Sequence, residues 1–233
     1  MYKRIIAVQI FIIGLLWGGA RTNSVIYKDE VFHIIHPNEI KEINKPKVYA
    51  NGILFTYDGS KKDRVGLSGT FIHWQKKINF YTNEYGIFYR FVPLELKQGS
   101  YMYRYAVNDL WINDPSQDFY TNDGYGTMIS AFYLKKDLIN YNKTPKKMGN
   151  GYYKFFLKDN NFKSVSWVGT RNNWDPYVDK MKLEGGHWTI VKKIPPDMTY
   201  YKFTVDGRTV LDPCNPHITR LKFEEEVNYV KMQ

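Results

Sequence analysis

Cysteine is almost missing from this sequence: Cys214 is the only one among 233 residues. No disulfide can form within the chain, so its fold must be held by its core rather than by covalent staples. A lone cysteine in a proline-flanked stretch either cross-links dimers or packs as a small apolar residue, and the second is its commoner fate. Long apolar runs are missing too once the first twenty residues are passed, which leaves no second membrane segment. No stretch keeps a long 3.6-residue apolar period, so helices are not expected to build the core. Acidic residues are outnumbered, 23 against 33 Lys and Arg, for a formal charge of +10. The lysines are scattered rather than striped. That pattern suits solubilised strand edges and argues against a nucleic-acid partner or a charged lipid surface.

What the chain has in excess is aromatic rings: 20 Tyr, 14 Phe and 6 Trp make up 17% of it. Tyr and Trp join a large apolar face to a polar tip, which suits β-strands and wet binding surfaces alike. At the N-terminus, Lys3 and Arg4 lead an apolar run from Ile5 to Trp17, and Gly18, Gly19 and Ala20 follow it. That is the layout of a secretory signal peptide, so residues 1–20 are expected to be removed and the protein exported to the periplasm, the cell surface or the medium. The run is shorter than the ~20 residues of a spanning helix, so no stable membrane insertion is expected after cleavage.

The chain also repeats itself. Gly69-Thr70-x-x-x-Trp74 returns as Gly169-Thr170-x-x-x-Trp174, and Gly86-x-Phe88 as Gly186-x-Trp188, both displaced by 100 positions. Tyr103-Arg104-Tyr105-x-Val107 returns as Tyr201-Lys202-Phe203-x-Val205, and Asp114-Pro115 as Asp212-Pro213, both displaced by 98. Four blocks in one order indicate an internal duplication, and a unit of this length matches a whole sandwich domain rather than a solenoid repeat. Short alternating runs predict strands over 53–57, 64–68, 87–92, 101–107 and 129–134, and again over 153–157, 164–168, 188–192, 200–205 and 227–232. The expected organisation is all-β: a signal peptide (1–20), an N-terminal extension (21–50), one immunoglobulin-like β-sandwich (51–140), a linker (141–150) and a second sandwich (151–233).

Together these blocks resemble the glycogen-binding domain of the AMP-activated protein kinase β subunit. They also resemble the early-set domains that precede isoamylase and branching enzymes, carbohydrate-binding module family 48. The resemblance covers roughly 50–135 and again 150–232. It implies a non-catalytic site in the first unit that cradles a linear α-1,4-glucan. Trp74 matches the first stacking tryptophan, Arg104 the basic residue and Trp111 the second tryptophan. Thr127 matches a threonine that hydrogen-bonds the glucan, and Tyr125 a residue that threads it. One departure stands out: an asparagine of the family falls on Ile129, with Asn113 and Asn108 as the candidates to replace it. The second unit keeps Trp174 and Lys202 but has Thr209 in place of the second tryptophan and no Gly-Thr loop. It is read as a degenerate copy holding at most a second, weak site.

The chemistry of such a cradle is plain. A glucose ring offers apolar C–H faces that stack on indole, while its hydroxyl rim asks for hydrogen-bond partners. A single pair of tryptophans burying on the order of 150 Å² contributes about 4 kcal/mol at most, before ordering costs. Binding is then expected between roughly millimolar and tens of micromolar.

Trp167 and Trp188, inside strand patterns, are expected in the core, as are Tyr103 and Tyr201. The Asp-Pro pairs are turn formers, and Glu224, Glu225 and Glu226 read as a solvated face. His33 and His36 form a pair without further ligands, so no metal or cofactor is expected. No paired carboxylates across a cleft and no nucleophile with its base stand at supporting spacing, and an enzyme is not expected. The competing reading is an exported envelope scaffold that uses the sandwich for protein contacts. Exposure of Trp74 and Trp111 beside Arg104 separates the two.

Overall fold

The computed structural model describes residues 24–32, 37–140, 143–222 and 225–231. The signal peptide expected at 1–20, the pair His33 and His36, and Glu224 lie outside the described residues.

The first module carries eleven strands: β1 (Ile26–Tyr27), β2 (Lys47–Tyr49), β3 (Gly52–Asp58), β4 (Val65–Gly69), β5 (Ile78–Asn79), β6 (Tyr81–Thr82), β7 (Ile87–Val92), β8 (Gly99–Val107), β9 (Leu110–Ile112), β10 (Tyr120–Asn122) and β11 (Met128–Leu134). They form one sheet in the order β1-β2-β3-β7-β6 and another in the order β10-β11-β8-β4-β5, with β9 pairing β8. Strand alternation decides which side chains meet between the sheets. Ile53, Phe55 and Val92 come from one sheet, and Leu67, Tyr103, Tyr105 and Phe132 from the other, into a single buried cluster.

The second module repeats the plan with β12 (Lys146–Gly149), β13 (Tyr152–Lys158), β14 (Val165–Gly169), β15 (Lys182–Glu184), β16 (His187–Lys193), β17 (Thr199–Val205), β18 (Arg208–Val210), β19 (Ile218–Arg220) and β20 (Glu226–Val230). Its sheets run β12-β13-β16-β15 and β14-β17-β20-β19, with β18 pairing β17. Phe155 and Leu157 meet Trp167, Tyr201, Phe203 and Val205 in its core. The protein is therefore all-β, with two sandwiches as the duplicated blocks imply.

Two stretches carry more structure than their composition suggests. Within 21–50, β2 pairs β3 and β1 pairs β2, so the extension lengthens the first sheet. It also covers that sheet's outer face, where Phe32 stacks on Phe91 at 4.7 Å and packs with Ile40 on Tyr49, Leu54, Tyr89 and Phe91. The stretch read as a linker contains β12, paired with β13. Its lysines face solvent on an exposed sheet edge, where charge discourages edge-to-edge pairing.

The repeated residues have repeated reasons. A Cβ at Gly69 would lie 2.6 Å from the Met102 carbonyl, and one at Gly169 would lie 2.3 Å from that of Tyr200. Only glycine admits the neighbouring strand so closely. Asp114 is buried and accepts hydrogen bonds from the Tyr103 and Tyr105 hydroxyls (2.7 and 3.0 Å) and from Ser116, while its own N–H donates to Ser130. Asp212 accepts from Tyr201 (2.7 Å) and from the Cys214 N–H, and its N–H donates to Asn228. The Asp-Pro pairs thus tie a turn to the core tyrosines. Cys214 is buried, as its composition suggests, and burial pushes its thiol well up.

The modules are fastened to each other. Asn51, fully buried, donates to the Pro213 carbonyl (3.0 Å) and reaches the Cys214 sulfur, and Asn140 donates to the Cys214 carbonyl (2.9 Å). Arg90 on β7 pairs with Glu226 on β20 at 2.6 Å, with side-chain exposures of 4% and 12%. Tyr81 donates to the same carboxylate at 2.6 Å. Part of the acidic run is therefore an inter-module clasp and not a solvated face. The sequence gives no sign of this role for Glu226, because its partners lie 136 and 145 positions away.

Candidate functional site

The site is laid out on the outer face of the sheet containing β8. Tyr103 and Tyr105 point into the core without solvent exposure, so Arg104 between them points outward. β4 lies on one side of β8, with Ser68 directly opposite Arg104 and Gly69 opposite Tyr103. β9 lies on the other side, with Trp111 opposite Ala106. Trp111 therefore shares the outward face with Arg104 and is 45% exposed. The Arg104 guanidinium leans toward it, its Nη2 donating to the Trp111 carbonyl at 3.4 Å.

Trp74 reaches this face by a strained turn. After β4 the chain makes one 3₁₀ turn (Thr70–Ile72), and the Trp74 N–H returns to the Gly69 carbonyl at 3.0 Å. His73 and Trp74 both adopt left-handed backbone, with φ of 54° and 57°. A bulky residue at positive φ is costly and persists where surrounding structure imposes it, commonly at ligand clamps. Thr70 helps to impose it: its hydroxyl accepts from the Met102 N–H (3.1 Å) and donates to the Met102 carbonyl. Trp74 emerges 40% exposed on the β4 side of Arg104, while Trp111 stands on the β9 side. Beneath them, Ser68 Oγ and Arg104 Nε are buried without a hydrogen-bond partner among the described residues. Such atoms are uncommon in folded proteins, and two of them stand on facing positions here.

The loop joining β10 to β11 supplies the third aromatic ring. Asn122 Oδ1 accepts from the Gly124 and Gly126 N–H groups, and Asp123 Oδ1 from those of Tyr125 and Thr127. Gly124 and Gly126 take φ of 91° and 93°, which the turn needs and which few other residues accept. The result is a pinned tip on which Tyr125 stands 95% exposed and Thr127 keeps a hydroxyl without a partner among the described residues. Asn113, two residues past Trp111, donates to the Met128 carbonyl and accepts from Ser130, and so ties the end of β9 to the start of β11. Thr127 and Trp111 are thereby brought to one end of the sheet.

That role takes one donor and one acceptor of the Asn113 amide, the candidate to replace the asparagine displaced by Ile129, and leaves its second N–H and second lone pair. Asn108, the other candidate, is exposed; it accepts from the Arg64 N–H and donates to Asp63. Ile129 lies on the outward face by register with Ala131 and Met102 and is buried there as an apolar plug.

Residues 52–140 match the family described as the glycogen recognition site of AMP-activated protein kinase. The matched segment runs from β3 through β11 and contains Trp74, Arg104, Trp111, Tyr125 and Thr127. The second module lies beyond it. Among solved structures, a maltogenic amylase from S. marinus is similar at 14% identity over 67% of this chain and 25% of that one, with a TM-score of 0.31. A pullulanase from Anoxybacillus sp. LM18-11, complexed with maltotetraose, is similar at 13% identity over 80% and 23%, with a TM-score of 0.26. A multi-modular glycogen-degrading pneumococcal virulence factor follows at 14% identity over 71% and 27%, with a TM-score of 0.23. The chain thus spans about a quarter of the length of these proteins. No curated protein matches it.

In the second module the counterparts are placed differently. Trp174 repeats the turn of Trp74, with Asn173 and Trp174 at φ of 52° and 62° and the Trp174 N–H returned to Gly169 at 3.0 Å. It is half-buried. Lys202 is paired with Glu225 at 2.7 Å, and its side chain is only 11% exposed. Lys202 and Thr209 line the cavity between the modules, Thr209 at its exposed rim, while Trp174 stands outside it. Trp167 is fully buried as expected, and Trp188 packs on the core while donating to Asp159 at 2.9 Å.

Proposed function

We propose that this protein is a non-catalytic, exported α-glucan-binding protein whose first module holds the polymer. The observation that carries the reading is the exposure of Trp74 and Trp111 on either side of Arg104, on the outer face of a segment matching a glycogen recognition site. Two indole faces take the C–H faces of successive glucose units, and the guanidinium and the Thr127 hydroxyl address the hydroxyl rim. Tyr125, held out by the hairpin tip, lies against the glucan where it curves. The site does this work without reacting groups: it offers flat apolar area and hydrogen-bond donors, which is what recognition of a neutral polymer requires.

The test is affinity electrophoresis of the mature chain in gels containing glycogen or amylopectin. Wild type is expected to be retarded, and Trp74→Ala and Trp111→Ala are each expected to abolish the retardation with the fold intact by circular dichroism. Unretarded, folded wild type would leave the sandwich as a scaffold for protein contacts.

A further inference from the structure

Between the modules lies a cavity of about 610 Å³, within the size range of small-molecule sites. Its first-module wall is aromatic: Phe80, Tyr81 and Tyr89 line it, with Tyr81 and Tyr89 rings 5.8 Å apart. Its second-module wall is mixed: Val210, Leu211 and Ile218 give it an apolar floor, and the cations Lys202, Arg208 and Arg220 stand beside Glu225 and Glu226. The position that bears Trp111 in the first module bears Thr209 in the second, and the small side chain leaves the space open. The charges here are unevenly matched. Glu225 is taken by Lys202, and Glu226 by Arg90 at 2.6 Å, with Arg220 at 3.7 Å. Arg208 is exposed and has no partner among the described residues. An aromatic wall suits the flat C–H face of a sugar ring. Hydroxyl and carboxylate groups suit its rim, and an unmatched guanidinium suits an anionic substituent.

We propose that this cavity is a second ligand site, separate from the glucan face, that accepts a small acidic sugar: a hexose bearing a phosphate or a carboxylate. The ring lies along the aromatic wall of Phe80, Tyr81 and Tyr89, where Arg90 already covers part of Tyr81 at 5.1 Å, and the anion is held by Arg208. The site exists only in the joined molecule, because each module supplies one wall.

The experiment is calorimetric titration of the full mature chain with glucose 6-phosphate, glucuronate, maltose and inorganic phosphate. Glucose 6-phosphate or glucuronate is expected to bind more tightly than maltose and phosphate, and the tighter of the two identifies the acid. Arg208→Glu is expected to weaken binding about tenfold or more. Thr209→Trp is expected to abolish it by filling the space, and Trp74→Ala to leave it unchanged. Equal binding of maltose, or equal binding of phosphate alone, overturns the proposal. So does loss of binding in Trp74→Ala, which moves the ligand to the first module's outer face, and so does an absence of binding by both acidic sugars.

Discussion

Asp114 and Asp212 occupy matched positions with unmatched surroundings. Asp114 receives two tyrosine hydroxyls, from Tyr103 and Tyr105, whereas at Asp212 the second tyrosine has become Phe203. Burial pushes the Asp212 carboxyl up to about 7, against the pull of hydrogen bonds from Tyr201, Cys214 and Thr144. An ordinary aspartate titrates near about 3.9, so the folded protein holds a proton that the unfolded chain has released. The stabilisation is complete below the unfolded value and is lost as pH rises through about 7. Urea unfolding at about pH 5 and about pH 8 is therefore expected to show a lower midpoint at the higher pH, and Asp212→Asn should remove most of that difference. His217, which burial holds below its ordinary value, acts in the opposite direction. The Asp212→Asn comparison isolates the carboxyl from it. The sequence marks both Asp-Pro pairs as turns. It does not show their burial, because a turn former and a buried acceptor use the same two letters.

At the scale of the element, the hairpin β10–β11 shows how a loop can be rigid without a core. Four backbone N–H groups converge on two side-chain oxygens, and Tyr125 is presented from a backbone already set. Pre-organisation lowers the ordering cost of binding more than it raises stability. Asp123→Ala is accordingly expected to leave the unfolding midpoint nearly unchanged, because the freed N–H groups face water. It should weaken glucan binding by about three- to fivefold, with faster amide exchange at Tyr125 and Thr127 as the accompanying sign. The long strands were legible because their alternation is strong: β8 and β17 place Tyr103, Tyr105, Tyr201 and Phe203 on one side without interruption. The short ones were not. β9 and β18 span three residues each, and β12 reads as a lysine-rich connector, because a polar edge strand has no buried face to leave a period. Trp74 was legible as a candidate from a repeated block, and Trp111 only through the family resemblance, since Thr209 stands at its counterpart. The left-handed turn that lifts Trp74 has no sequence marker beyond Gly69.

At the scale of the molecule, the joint between the modules centres on Glu226. Burial alone would raise its carboxyl, but Arg90, Tyr81 and Arg220 hold it below the ordinary glutamate range. The sign follows: the clasp is complete above the ordinary value of about 4.3 and is released as pH falls through the lowered one. Glu226→Gln leaves Arg90 buried with its charge unanswered, a loss of about 3–5 kcal/mol for a pair of this kind. We expect that variant to show a larger radius of gyration by small-angle scattering and faster proteolysis between Asn140 and Lys146, with each sandwich still folded. None of this could be read from the chain, since the residues that meet in the joint stand in different copies of the repeat and share no motif.

The joint also changes what the duplication means. Two copies of a gripping surface would let one molecule hold two branches and draw them together. Here the second copy keeps its turn tryptophan, Trp174, but lacks the second one, and its cation Lys202 is already paired with Glu225. On the proposed reading, a molecule with one full hold would coat a polymer without knitting its strands into a mesh.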